Sequence, residues 1–131
     1  MDQQLLQEAA MLEQYTRQLE EHDALLAQQV AELEQFHAHL TLFSKEQPKR
    51  ILASLGKGVY IKSDIVEPLL FVEVGANVIV RKSAPEVAAV VRDQSEKLRA
   101  SQLKLTAQIG FCAQRLQELM AELEKQHQHE H

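Results

Sequence analysis

The chain has 131 residues and a formal net charge of −5, a length that suits a single domain. Aromatic residues make up only 5%, Trp is absent, and Gln, Glu, Leu and Ala concentrate at both ends, which is typical of long heptad helices. Residues 1–43 carry eight acids and one base, residues 44–83 four acids and seven bases. An acidic first segment argues against nucleic acid as the main partner, because phosphate contacts need clustered Lys and Arg.

Targeting features are absent from the sequence. No apolar run approaches the ~18–20 residues that cross a bilayer, so no membrane role is expected. The start, Met1-Asp2-Gln3-Gln4, lacks the pattern of a signal peptide. Cys112 is the single cysteine, so no intrachain disulfide can form. We therefore expect a soluble, cytoplasmic protein.

The first segment has apolar residues in alternating steps of four and three, the heptad period of a left-handed coiled coil. No Gly or Pro interrupts it before Pro48. The pattern predicts an N-terminal coiled-coil helix over residues 1–44. Its predicted seam positions are Leu5, Ala9, Leu12, Thr16, Leu19, Asp23, Leu26, Val30, Leu33, His37 and Leu40.

Between the two heptad segments, residues 49–82 predict a double β-hairpin module. Runs of β-prone residues flank Gly56-Lys57-Gly58 and Gly75-Ala76-Asn77, which predict two three-residue loops. Two short hairpins cannot bury their own edges and apolar faces. The module is therefore predicted to pair with other chains, and we call its candidate contact residues the strand residues. They are Ile51, Leu52, Leu55, Val59, Ile61, Phe71, Val72, Val74, Val78 and Val80.

The last segment predicts a second coiled-coil helix over residues 84–127, followed by a frayed tail at 128–131. Ser83 and Glu86 have the spacing of a capping box, and Pro85 fits the first turn. Gly110 is a weak point in the helix. The predicted seam positions are Val91, Ser95, Leu98, Gln102, Leu105, Ile109, Cys112, Leu116, Leu119 and Leu123.

Two helices of similar length joined by a short insert are expected to fold back into an antiparallel pair. The residue numbers of two side chains that face each other then add up to about 127, which places Asp23 opposite Lys104. The two charges either form an ion pair or each extend into water from a loosely packed seam. The fold class is thus mainly α: a long antiparallel coiled-coil hairpin with two β-hairpins joining the helices.

The open end of this hairpin has more apolar side chains than a two-helix seam needs. We call these the tip residues. They either grip irregular apolar surfaces of another protein or reflect ordinary fraying of a coiled coil. The tip residues are Leu5, Leu6, Met11, Leu12, Leu116, Leu119, Met120 and Leu123.

The hairpin sequences resemble those of a known family. The run Ile51–Ile61 is similar to the first hairpin of α-class prefoldin subunits, and Phe71–Ser83 to the second. Ala53-Ser54 replaces a pair that is often Val-Pro-like, and Val78-Ile79 replaces a frequent aromatic pair. The resemblance covers the whole chain, since arm, double hairpin and arm occur in that order.

This resemblance implies an ATP-independent molecular chaperone. Family members form an α2β4 hexamer from two copies of an α-class subunit and four β-class subunits. Their coiled-coil tips hold non-native client proteins and deliver them to a group II chaperonin. An alternative is a structural prefoldin-like subunit that assembles by itself into filaments through its β-hairpins.

The sequence suggests no catalytic or metal-binding motif. Gly56-Lys57-Gly58 lacks the spacing of a phosphate-binding loop. Cys112 fits a buried hydrophobe better than a nucleophile. The histidine-rich end at 127–131 could bind a metal adventitiously, but a frayed tail fits it better. We predict no cofactor, no metal site and no enzymatic activity.

Overall fold

The computed structural model describes residues 2–129, and the side chains of residues 3–128. Two long helices enclose four strands in sequence. The predicted fold class, mainly α with two β-hairpins between the helices, is confirmed. The elements are α1 (Asp2–Glu46), β1 (Arg50–Gly56), β2 (Val59–Asp64), β3 (Leu69–Gly75), β4 (Val78–Ser83) and α2 (Ala84–His129).

The helices extend slightly beyond their predicted ends. α1 runs to Glu46, past the predicted end at residue 44. The sequence predicts a frayed tail at 128–131, but α2 continues to His129. Its helical period also continues, because Gln126, one heptad step after Leu123, is half-buried. Glu130 and His131 lie outside the described residues.

The chain divides into two compact units. The first, here called the arm unit, contains residues 2–31 of α1 and 96–129 of α2. Its core is one cluster of seam residues from both helices, and all of the predicted seam positions in it are buried or half-buried. The helices are therefore paired along the predicted heptad stripe. The cluster contains Leu12, Leu19, Leu26, Leu98, Leu105, Ile109 and Cys112.

The second unit, Glu32–Ser95, is here called the hairpin unit. Its core is formed by Leu40, Val87 and Val91, with Leu33 and Ala88 packed against them. Two side chains of β3 complete this core. They are Leu70 and Val72, which alternate along the strand with exposed residues. One face of the second hairpin is therefore used inside the chain.

The two hairpin turns are tighter than predicted. In both, a β-bulge at a glycine, Gly56 or Gly75, precedes a turn of two residues. Lys57 and Gly58 both have positive φ (52° and 79°), as type I′ turns require. Ala76 and Asn77 have the same conformation (49° and 61°). The prediction of three-residue loops was wrong because the first glycine of each loop remains in its strand as a bulge.

The helix ends are stabilised by local hydrogen bonds. Gln47 follows α1 in the left-handed conformation (φ 45°) and donates its N–H to the Phe43 carbonyl at 3.0 Å. At the start of α2, the Glu86 N–H donates to Ser83 Oγ at 3.3 Å, and the Ser83 hydroxyl donates to Glu86 Oε1 at 3.0 Å. The predicted capping residues thus pair, although Glu86 contacts the hydroxyl of Ser83 instead of its backbone N–H.

Replacing Gln47 by glycine is expected to stabilise the protein by about 1 kcal/mol, because the left-handed conformation is unfavourable for a residue with a Cβ. Gln35→Gly is the matched control, since Gln35 is exposed in the interior of α1 and should lose about 1 kcal/mol. Chemical denaturation followed by circular dichroism, at one protein concentration, measures both. Equal destabilisation by the two substitutions would contradict the assignment of this helix end.

Asp23 occupies a seam position between Leu19 and Leu26, both members of the arm-unit core. From the sequence, Asp23 was expected either to pair with Lys104 or to extend into water. No ion pair between the two forms among the described residues. Lys104 is exposed, and Asp23 Oδ1 is buried without a hydrogen-bond partner. A buried acceptor without a partner costs about 1–3 kcal/mol. The arm unit therefore has a built-in weak layer.

Asp23→Leu is expected to raise the free energy of unfolding by about 1–3 kcal/mol, because it removes the unpaired oxygen and fills the seam with an apolar side chain. Asp93→Leu makes the same chemical change at an exposed position of α2 and should shift stability by less than about 0.5 kcal/mol. Thermal unfolding of both variants provides the comparison. A less stable Asp23→Leu protein would show that the aspartate contributes to the pairing of the helices.

Candidate functional site

The arm unit carries the first candidate surface, at the end where α1 begins and α2 terminates. Among the tip residues, Leu6, Met11 and Met120 are exposed, and Met11 most of all at 71%. Leu119 has no exposed surface at all. The remaining four, which occupy seam positions, are half-buried: Leu5, Leu12, Leu116 and Leu123.

This division follows from the heptad. Side chains on the seam face the other helix, whereas Leu6, Met11 and Met120 lie one position outside it. A partner protein could therefore contact the exposed three directly, but Leu119 only after the helices separate. Binding of client proteins by the tip residues stays a prediction.

Two exposed aromatic residues near this end, Tyr15 and Phe111, were not among the predicted tip residues. Tyr15 lies one helical turn after Met11, and the pair lines a groove of about 490 Å³ together with Leu12 and Arg115. Phe111, which is 71% exposed, lies one turn before Arg115 on α2. The spacing of four residues between Met11 and Tyr15 was the available signal, because it places both on one flank of the helix.

Arg115 connects the two helices across this groove. Its Nη2 and Nε donate to Glu8 Oε1 at 3.1 and 3.3 Å, and its Nη1 donates to Glu118 Oε2 at 3.3 Å. These interactions raise the pKa of Arg115 above its usual value, mainly through the hydrogen bonds to Glu8 and next through the hydrogen bond to Glu118. The guanidinium is thus permanently charged and held between two carboxylates, and the group keeps a net charge of about −1.

The hairpin unit carries the second candidate surface. Most of the strand residues are exposed, but Val72 packs in the core and its cross-strand partner Val80 is half-buried. These two side chains therefore pack within this chain and are less available for contact with another one. The exposed strand residues are Ile51, Leu52, Leu55, Val59, Ile61, Phe71, Val74 and Val78.

The first hairpin differs from the second in its packing. Only Ala53 and Ser63 of β1 and β2 are half-buried, so apolar side chains on both faces of this sheet are exposed. Each of the two sheets has two strands, which leaves one edge of every strand unpaired. Apolar sheets with open edges are typical of surfaces that pair with other chains.

Charged side chains cap the open ends of the hairpins. Arg50 Nε donates to Asp64 Oδ1 at 2.8 Å across the first register pair of β1 and β2. On the second hairpin the guanidinium of Arg81 lies 5.8 Å from the ring centroid of Phe71 and 3.6 Å from Glu67. Both pairs are largely exposed, and pairs of this kind add little stability.

Two other features, a metal-binding cluster and a membrane-spanning helix, are not found in the part of the chain that the structure describes. No group of three or more His, Cys, Asp or Glu side chains there could hold a metal ion. None of the described helices is long and apolar enough to span a membrane.

The helix–hairpin–hairpin–helix order, with these two candidate surfaces, defines a class of proteins that have coiled-coil arms joined by a β-hairpin module. A family model for the prefoldin subunit matches residues 6–129, and the chain therefore belongs to the prefoldin family. This is a family of non-enzymatic chaperones whose subunits assemble with other prefoldin subunits.

A solved structure shares the fold. The filamentous PFD from Methanocaldococcus jannaschii, determined by cryo-electron microscopy, matches with a TM-score of 0.72 at 20% sequence identity. The match covers 88% of this chain and 98% of that chain. No curated protein sequence matches significantly.

Proposed function

We propose that this prefoldin subunit is an ATP-independent holdase of the α class. It binds unfolded client proteins at the end of the arm unit and delivers them to a group II chaperonin. The observation that carries the proposal is the exposure of Leu6, Met11 and Met120 beside a fully buried Leu119. Apolar side chains that the seam does not use remain available to a client.

The physical basis of holding is burial of apolar client surface, at about 25 cal/mol per Å². Three side chains per subunit give weak binding, so several arms must act on one client. Flexible methionines suit such a surface, because they adapt to irregular shapes. Assembly is thus a condition of function in this proposal.

The proposed assembly is an α2β4 hexamer with β-class subunits and a second copy of this chain. Two β-hairpins support the α class, and the exposed strand residues support pairing with neighbouring subunits. We propose the cytoplasm as the compartment, where a single free thiol such as Cys112 stays reduced.

The alternative is self-assembly into filaments through the same strands. The similarity of fold to a filamentous PFD and the open edges of both sheets favour it. The two assemblies differ in the partner that each strand edge accepts.

Replacing Leu6, Met11 and Met120 together by serine is expected to reduce the suppression of client aggregation, without ATP, by roughly tenfold, since burial of three apolar side chains on several arms is lost. The matched control replaces Leu25 and Leu103, which are exposed elsewhere on the arm unit. Light scattering of a chemically denatured model enzyme measures protection. Full protection by the triple variant, in an intact complex, would reject the proposed binding surface.

Sedimentation of the chain alone and mixed with a β-class subunit tests the assembly. A discrete hexamer that forms only on mixing is expected, because each set of strand edges then meets its complement. Leu52→Ser with Val78→Ser should weaken it about tenfold or more, since both side chains are exposed on the strands. Val66→Ser, at a 96% exposed position between the hairpins, is the control. Open-ended growth of the chain alone would favour the filament.

A further inference from the structure

We infer that one flank of the arm unit, the groove between Met11, Tyr15 and Arg115, selects client segments in which apolar residues are flanked by basic ones. This inference rests on the proposed function and adds to it the chemical class of client. It depends on the shape of the groove, on the charge at its rim and on the positions of the aromatic residues.

The groove is a concave apolar surface on an otherwise polar flank. Met11 and Tyr15 form one wall, and the seam residue Leu12 lies at its base. The groove is shallow and open to solvent, and its volume of about 490 Å³ leaves room for one or two side chains of a peptide. Phe111 extends the apolar surface along α2 on the same flank, by its heptad position four residues from Arg115.

The rim of the groove has a net negative charge, because it has more carboxylates than guanidinium groups. Glu8 lines the groove and shares Arg115 with Glu118, so two carboxylates surround one guanidinium. Because Arg115 is already paired with both, it is a poor partner for an acidic client residue. The carboxylates retain lone pairs that face solvent, since Glu8 and Glu118 are about half exposed. Lys or Arg residues of a client can donate hydrogen bonds to these lone pairs.

The surroundings add to this local field. Residues 3–16 and 113–128 carry five acidic and two basic side chains. A basic client segment is therefore attracted toward this end and an acidic one repelled, at distances up to the Debye length of about 8 Å in physiological salt. Apolar contact provides affinity, and the carboxylates discriminate between clients.

Two labelled peptides test the inference on the wild-type complex. They share one apolar centre with aromatic and aliphatic residues, flanked by lysines in one peptide and by glutamates in the other. Fluorescence anisotropy is expected to give about tenfold tighter binding of the lysine peptide, a difference of about 1.4 kcal/mol, because its lysines gain ion pairs that the glutamates of the other peptide cannot form. Raising the salt concentration should reduce this ratio.

Glu8→Gln with Glu118→Gln is the decisive variant. It removes two charges at the groove and leaves Arg115 unneutralised, so the ratio should fall to about one or below. Glu20→Gln with Glu21→Gln removes the same charge from exposed positions elsewhere on α1 and should keep most of the ratio. Tyr15→Ser should weaken both peptides similarly without changing the ratio.

The outcomes separate the inference from the proposed function. If the wild type binds both peptides equally, or if the two double variants lose the ratio equally, the inference is overturned. Protection of a model client with a net charge near zero is measured in the same preparations. When that protection is present, the proposed holdase function stands independently of the peptide result, and when the wild type lacks it, the proposed function itself fails.

Discussion

The packing of two helices along one stripe of side chains governs which surfaces of this protein are available to others. In the arm unit the stripe has a period of 3.5 residues, and the residues on it are buried or half-buried, whereas their neighbours are exposed. A seam of this kind buries one narrow row of side chains and forms no thick hydrophobic core. Apolar residues one position outside the line remain on the surface, and among them are the residues proposed to hold a client.

The seam also has a defined weakness. Asp23 carries a buried oxygen without a partner in the middle of the arm-unit core, and Thr16, another seam residue, donates its hydroxyl back to the Leu12 carbonyl at 2.7 Å. Both are polar side chains at positions where an apolar residue would pack best. A coil with such layers gains less from pairing than an all-leucine coil does. That property is consistent with the client binding proposed for the arms.

The hairpin unit shows how the same principle operates on a sheet. Alternation along β3 places Leu70 and Val72 in the core and leaves Phe71 and Val74 exposed. The first hairpin has no comparable packing within the described chain, because nearly all of its side chains are exposed. The core of the hairpin unit is therefore formed by its second hairpin and by the adjoining ends of the helices. The first hairpin leaves the larger share of its apolar side chains exposed.

Much of this structure could be predicted from the sequence alone, since heptads, β-prone runs and capping residues act over a few neighbouring positions. The seam, the two hairpins and the Ser83–Glu86 cap were obtained in this way. The tertiary structure decided what depends on a second element: Val72 packs into the core of its own chain, and Asp23 does not reach Lys104. It also placed Tyr15 beside Arg115 and joined that arginine to Glu8. The physical reason is that exposure and ion pairing depend on the side chains across the interface, which a pattern within one helix does not specify.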